Sequence, residues 1–149
     1  MKHQLIAFVC ILFSFSAVAK DRLEVYKDYD LGKEIIAMTT VKIDPNMDGV
    51  YLAGLKKSWV KAVKIQKELG YIKDWKIYSS DLSVSGNFNM VLMVTFENAA
   101  GLEPSKKKYA AFMKKWGEEN QKKSQKISAQ YPEVRTLTGE YRLREVIMD

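Results

Sequence analysis

Hydrophobic and polar positions along this chain switch between two periods, and the switches mark its elements. Residues 35–43 (Ile-Ile-Ala-Met-Thr-Thr-Val-Lys-Ile) are apolar or β-branched almost throughout, which predicts a central strand covered on both faces. The period then lengthens. At about 100° per residue, Tyr51, Leu52, Leu55, Trp59, Ala62, Val63, Ile65 and Leu69 fall on one side. Lys57, Lys61, Lys64 and Glu68 fall on the other. This predicts one amphipathic helix from Val50 to Leu69, with Asp48 as its N-cap and Gly70 as its left-handed C-cap. From Ile72 to Ser80, Trp75, Ile77 and Ser79 alternate with Asp74, Lys76 and Tyr78, so this strand has one wetter face. Asp81 to Asn87 has the composition of a hairpin turn, and Phe88 to Phe96 is a second strand apolar on both faces.

Pro104 suits the first turn of a second helix. There Tyr109, Phe112, Met113 and Trp116 recur at helical spacing, opposite Lys107, Lys108, Lys114, Lys115 and Lys122. Such a lysine run reads as a solvated helix back. Gly117 to Gln130 is almost wholly polar and either continues the helix or frays. After the Tyr131-Pro132 break, Val134 to Ile147 reads as one long strand. Leu137, Tyr141, Leu143 and Ile147 share one face of it, and Thr136, Thr138, Glu140, Arg142 and Arg144 the other.

The order is therefore β-α-β-β-α-β with a tight turn between strands two and three. It predicts an α+β, ferredoxin-like fold, an antiparallel sheet with two helices on one face. The opposite face would expose the second apolar side of strands one and three, so pairing of two copies, a homodimer, is expected.

Residues 1–19 read as a signal peptide. Lys2 and His3 precede the apolar run Leu5 to Phe15, and Ala17-Val18-Ala19 is an A-x-A cleavage site. The run is shorter than the roughly 20 residues of a membrane-spanning helix, and Cys10 lacks a lipoprotein context. The expected product is periplasmic or secreted, with residues 20–34 as a polar extension and 35–149 as one domain. Cleavage removes the single cysteine and the single histidine. A cysteine nucleophile, a histidine-based triad, a thiolate or imidazole metal site and a histidine-ligated haem are thereby excluded from the mature chain. No cofactor or metal is expected. The carboxylates of 20–34 lack the spacing of a calcium loop.

The mature chain would carry 23 basic against 18 acidic residues, a net charge of +5. The excess is mostly lysine, whereas base and phosphate recognition favours arginine, so no nucleic-acid partner is expected, nor a membrane after cleavage.

The element order, the aromatic first helix (Tyr51, Leu55, Lys57, Trp59), Gly70 leading into strand two and the last strand ending Arg144-Glu145 together resemble the dimeric α/β-barrel superfamily. The likeness covers about 35–147 and is nearest to small secreted members of unestablished function. It implies a barrel closed by two copies. Members include cofactor-free quinone-forming monooxygenases, haem-degrading enzymes, isomerases and stress-response proteins. The haem-degrading branch generally uses a histidine ligand that this mature chain lacks.

In such a barrel the sheet face away from the helices lines the interior. If Glu140, Arg142 and Arg144 point there, their charges, with the aromatic side chains, suit a small aromatic or acidic molecule. Trp59, Gln66 and Tyr78 are the other candidate contacts, Gln66 because an amide in an apolar stripe needs a partner. The plainer reading puts Trp59 in the core, bonds Gln66 to a strand end and leaves the arginines in an interface ion-pair network. The alternative function is a cofactor-independent monooxygenase or isomerase acting on an aromatic substrate, with Tyr78, Trp59 or Asp74 as helpers. No acid–base pair stands out, and no catalytic residue is assigned.

Overall fold

The computed structural model describes residues 22–82 and 86–148, so the expected signal peptide, 1–19, lies outside the described residues. Four strands form the main sheet: β2 (Ile35–Ile43), β3 (Asp74–Ser79), β4 (Met90–Phe96) and β5 (Arg135–Leu143). Their order is β3-β4-β2-β5, with every neighbouring pair antiparallel. Three helices, α1 (Asp48–Lys57), α2 (Trp59–Glu68) and α3 (Lys106–Ala129), connect them. The β-α-β-β-α-β order and this strand order make the fold ferredoxin-like. A separate two-stranded arm pairs β1 (Asp30–Leu31) with β6 (Val146–Ile147).

The core lies between the sheet and the helices. Val41 and Ile43 of β2 and Met90 and Leu92 of β4 pack against Tyr51 and Leu55 of α1 and Tyr131 beyond α3. Burying each such aliphatic side chain stabilises the fold by roughly 1.5–3 kcal/mol. Asn89 locks the start of β4 to the end of β2. Its Oδ1 accepts from the Ile43 amide at 2.7 Å and its Nδ2 donates to the Ile43 carbonyl at 2.9 Å.

The single helix expected over 50–69 is two helices. The chain breaks at Ser58 (φ −116°, ψ −89°), whose hydroxyl donates to the Gly54 carbonyl at 2.9 Å. A serine bonding back to the preceding turn offers that carbonyl another donor and bends the helix. Asp48 is the first helical residue rather than the cap; Met47 holds the cap position, with no side-chain hydrogen bond. Gly70 does end α2 with positive φ, +68°.

The second helical region starts at Lys106, two residues beyond Pro104, because Ser105 caps it by accepting from the Lys108 amide at 3.2 Å. It continues to Ala129, interrupted by a kink at Gly117 (φ 74°, ψ 154°). Trp116, at the kink, is buried; its Nε1 donates to Gln121 at 2.9 Å and its ring stacks on Phe112.

The long last strand is also divided. β5 ends at Leu143, and the chain turns at Arg144-Glu145 to join the arm. The extension expected to be a solvated arm thus supplies β1, clasped where the Gly32 amide donates to the Glu145 carbonyl at 2.8 Å.

Candidate functional site

Directly opposed residues of an antiparallel pair share a face, so the register assigns every strand side chain. The helix face holds Val41 and Ile43, and with them Leu92 and Met90. The other face has no helix over it among the described residues. Its central strands place Ile36 and Met38 beside Met93 and Val91, and edge strand β3 adds Tyr78 opposite Val91. On the far edge, Leu143 opposes Ile36 and Tyr141 opposes Met38. Tyr78 on one edge and Tyr141 and Leu143 on the other are 48%, 49% and 39% exposed, so both edges of this face present large apolar side chains to solvent.

The register also puts Lys42 and Thr136, and Asp74, Lys76 and Thr95, on this face, so its apolar centre is flanked by polar and charged groups. The Thr138 hydroxyl donates to that of Thr40 at 2.8 Å, and Thr40 in turn donates to the Gly139 carbonyl at 3.3 Å. Gly139 lets the Tyr141 ring lie across the strand, since a Cβ there would come within 2.7 Å of that ring.

This face differs from the expected one in β5. A bulge shifts the register between Thr40 and Val41, so Gly139 opposes Thr40 while Leu137 opposes Val41. One extra residue reverses the face of everything beyond it. Glu140 opposes Thr39 and Arg142 opposes Ala37, which places both on the helix side of the sheet. There they line a shallow cleft of about 390 Å³ with Leu102. Tyr141 and Leu143, expected on the core side, take the uncovered face.

The other candidate residues are also dispersed. Arg144 donates from Nη1 to the Gly32 carbonyl at 3.1 Å and so fastens the arm. It lines a cleft of about 900 Å³ in which Leu31 and Ile147 of the arm meet Ile36 and Leu143. Trp59 is half-buried on α2 and packs edge-on against Trp75, ring centroids 5.7 Å apart. Gln66 is half-buried and its carbonyl accepts from the Tyr71 amide at 2.9 Å, in the turn that ends α2. Of the six candidates, only Tyr78 lies on the uncovered face, with Arg144 at its rim.

Beneath the helices lies a polar cluster that periodicity did not single out. The Ser58 and Tyr131 hydroxyls are 2.7 Å apart, and Tyr131 meets Tyr51 edge-on at 4.9 Å. The Arg135 guanidinium lies over both rings, 5.9 Å from that of Tyr51 and 5.3 Å from that of Tyr131. Its buried Nε has no hydrogen-bond partner. Burial pushes both phenols above their ordinary 10.0, against the opposing pull of the Arg135 charge. Only the chain reversal at Tyr131-Pro132 marks this cluster in sequence. Among the described residues, no group of three His, Cys, Asp or Glu is placed to hold a metal ion.

No protein-family model matches the chain, and no curated protein matches it. Among solved structures it is similar to a dimeric ferredoxin-like protein of unknown function from Thermobifida fusca YX. The two share 9% sequence identity over 78% of this chain and 92% of that one, with a TM-score of 0.36.

Proposed function

We propose that this is an exported homodimer that closes two sheets face to face and holds a small, mainly apolar aromatic molecule between them. The observation that supports this is the uncovered face itself. The two central strands of the sheet turn Ile36, Met38, Val91 and Met93 to it, half-buried in the single chain, and a monomer would leave the remainder of their surface in water. A four-stranded face of this length measures about 20 Å by 25 Å. In the arm, exposed Ile147 lies beside Ile36 and Leu143 and extends it toward the roughly 800 Å² per partner of a standard interface.

The ligand class follows from the lining. Methionine and tyrosine side chains give an adaptable, polarizable surface suited to an aromatic ring. The exposed Thr138 hydroxyl oxygen offers one polar acceptor, its hydrogen being donated to the buried Thr40. With Arg142 on the other side of the sheet, an acidic ligand loses the arginine expected from sequence and keeps only Lys42 and Lys76 on this face, so the apolar centre favours an aromatic one.

Native mass spectrometry of the protein purified from its exported form tests all three parts. A chain beginning at Lys20, a dimer and a discrete adduct are expected. Met38→Asp with Met93→Asp should give a folded monomer without adduct. A wild-type monomer at micromolar concentration sinks the reading.

A further inference from the structure

On the helix side of the molecule, away from the uncovered sheet face, two concavities meet at Lys57 and Ile127. The first, about 500 Å³, runs between the start of α1 and the end of α3. Val50 and Ala53 wall it on one side, Ile127 and Val134 on the other, and the ring of Tyr131 forms its floor. Val50 is 58% exposed, so the apolar lining is open to solvent. Gly54 keeps the floor accessible, because a Cβ there would come within 2.9 Å of Tyr131 Cε1.

The second concavity, about 430 Å³, is strongly basic. Lys57 and Lys61 from the α1–α2 junction face Lys123 and Lys126 of α3, with Asn120 beside them. A spacing of three brings Lys123 and Lys126 onto one face of α3, while Lys57 and Lys61 flank the break at Ser58. Lys123 pairs with Glu119. Among the described residues, Lys57, Lys61 and Lys126 have no carboxylate within 4.0 Å. Glu119, whose carboxyl is held below its ordinary range by the bond from Lys123 and also by the Lys61 charge, offsets one of the four positive charges, and the remaining excess favours an anion.

We propose that the joined groove binds a single-chain alkyl phosphate. Its hydrocarbon tail lies along Val50, Ala53, Ile127 and Val134, and its phosphate among Lys57, Lys61, Lys123 and Lys126. An apolar trough leading into a basic end matches the two halves of such an amphiphile, and each volume falls in the roughly 300–1,000 Å³ range of small-molecule sites. Concavity favours a single extracted molecule over the flat surface of a bilayer.

The test is isothermal titration calorimetry of the full mature protein with dodecyl phosphate below its micelle threshold, at low ionic strength. Saturable binding is expected. Lys57→Glu with Lys126→Glu should weaken it about tenfold or more, and Val50→Asp by a similar factor. Lys107→Glu with Lys114→Glu, the same charge change elsewhere on α3, should stay within about twofold. Inorganic phosphate alone should bind at least about a hundredfold more weakly, because it lacks the tail. The substituted side chains are exposed, and Lys61→Gln with Lys123→Gln repeats the head-group test with a gentler change. Four results overturn the proposal: no binding, equal affinity for inorganic phosphate, equal losses in the control variant, or capture only by anionic phosphatidylglycerol vesicles.

Discussion

The hydroxyls of Ser58 and Tyr131, 73 residues apart in sequence, meet at 2.7 Å beneath the break between α1 and α2. Ser58 has a single hydroxyl hydrogen, and it donates that to the Gly54 carbonyl, so Tyr131 is the donor to Ser58. The contact ties the broken helix to the turn that leads into β5. Both residues are buried, Ser58 at 4% and Tyr131 at 8% exposure, so losing either hydroxyl leaves the other without its partner.

Ser58→Ala should therefore destabilise the fold by about 1–3 kcal/mol, and Tyr131→Phe by about 1 kcal/mol. The double variant should lose less than the two single losses together, with a coupling of about 0.5–3 kcal/mol. Urea unfolding of the four proteins measures this, and strict additivity would show that the contact carries no energy.

Gly54→Ala sets two effects against each other. Alanine in a helix interior gains up to about 1 kcal/mol over glycine. The new Cβ would sit 2.9 Å from Tyr131 Cε1 and 3.2 Å from Ile127 Cγ2, and the Tyr131 ring is held by Ser58 and Tyr51. Overpacking of this kind costs about 1–3 kcal/mol, so net destabilisation is expected. A raised melting temperature would contradict it.

Gly117→Ala should also destabilise rather than stabilise, although Gly117 lies within a long helical span. Its φ of 74° and ψ of 154° belong to a region that side chains avoid. The cost is about 1–3 kcal/mol, larger than the gain in helix propensity. Thermal unfolding monitored by circular dichroism reads the sign directly.

Alkaline pH should weaken the fold through Tyr51 and Tyr131. Burial raises both above 10.0, so the folded chain holds these protons more tightly than the unfolded chain does. Their contribution is complete below pH 10.0 and is lost as pH rises through the raised folded values. In a phenolate absorbance titration of the eight tyrosines, these two should ionise late. Tyr51→Phe should flatten the fall in stability above pH 10.0, and an unchanged slope would count against the assignment.

Much of the fold was legible locally. β2 occupies 35–43 as its apolar run predicts, and Trp75 and Ile77 face the helices while Lys76 and Tyr78 do not. These features depend on the side-chain periods of strand and helix, which neighbours in sequence set by themselves. The apolar second face of β2 and β4 was legible for the same reason, and it marks the best candidate site.

The sequence by itself determined the order of elements, the faces of the central strands and the absence of cysteine and histidine after residue 10. Tertiary structure alone decided the rest. The Ser58 hydroxyl, which bonds back to the Gly54 carbonyl at the helix break, also meets Tyr131, a partner distant in sequence. Glu140 and Arg142 leave the uncovered face because β5 takes a bulge where it pairs with Thr40 and Val41. A strand's period gives the spacing of its side chains, but the partner strand sets the register, and a slip of one residue reverses every side chain that follows.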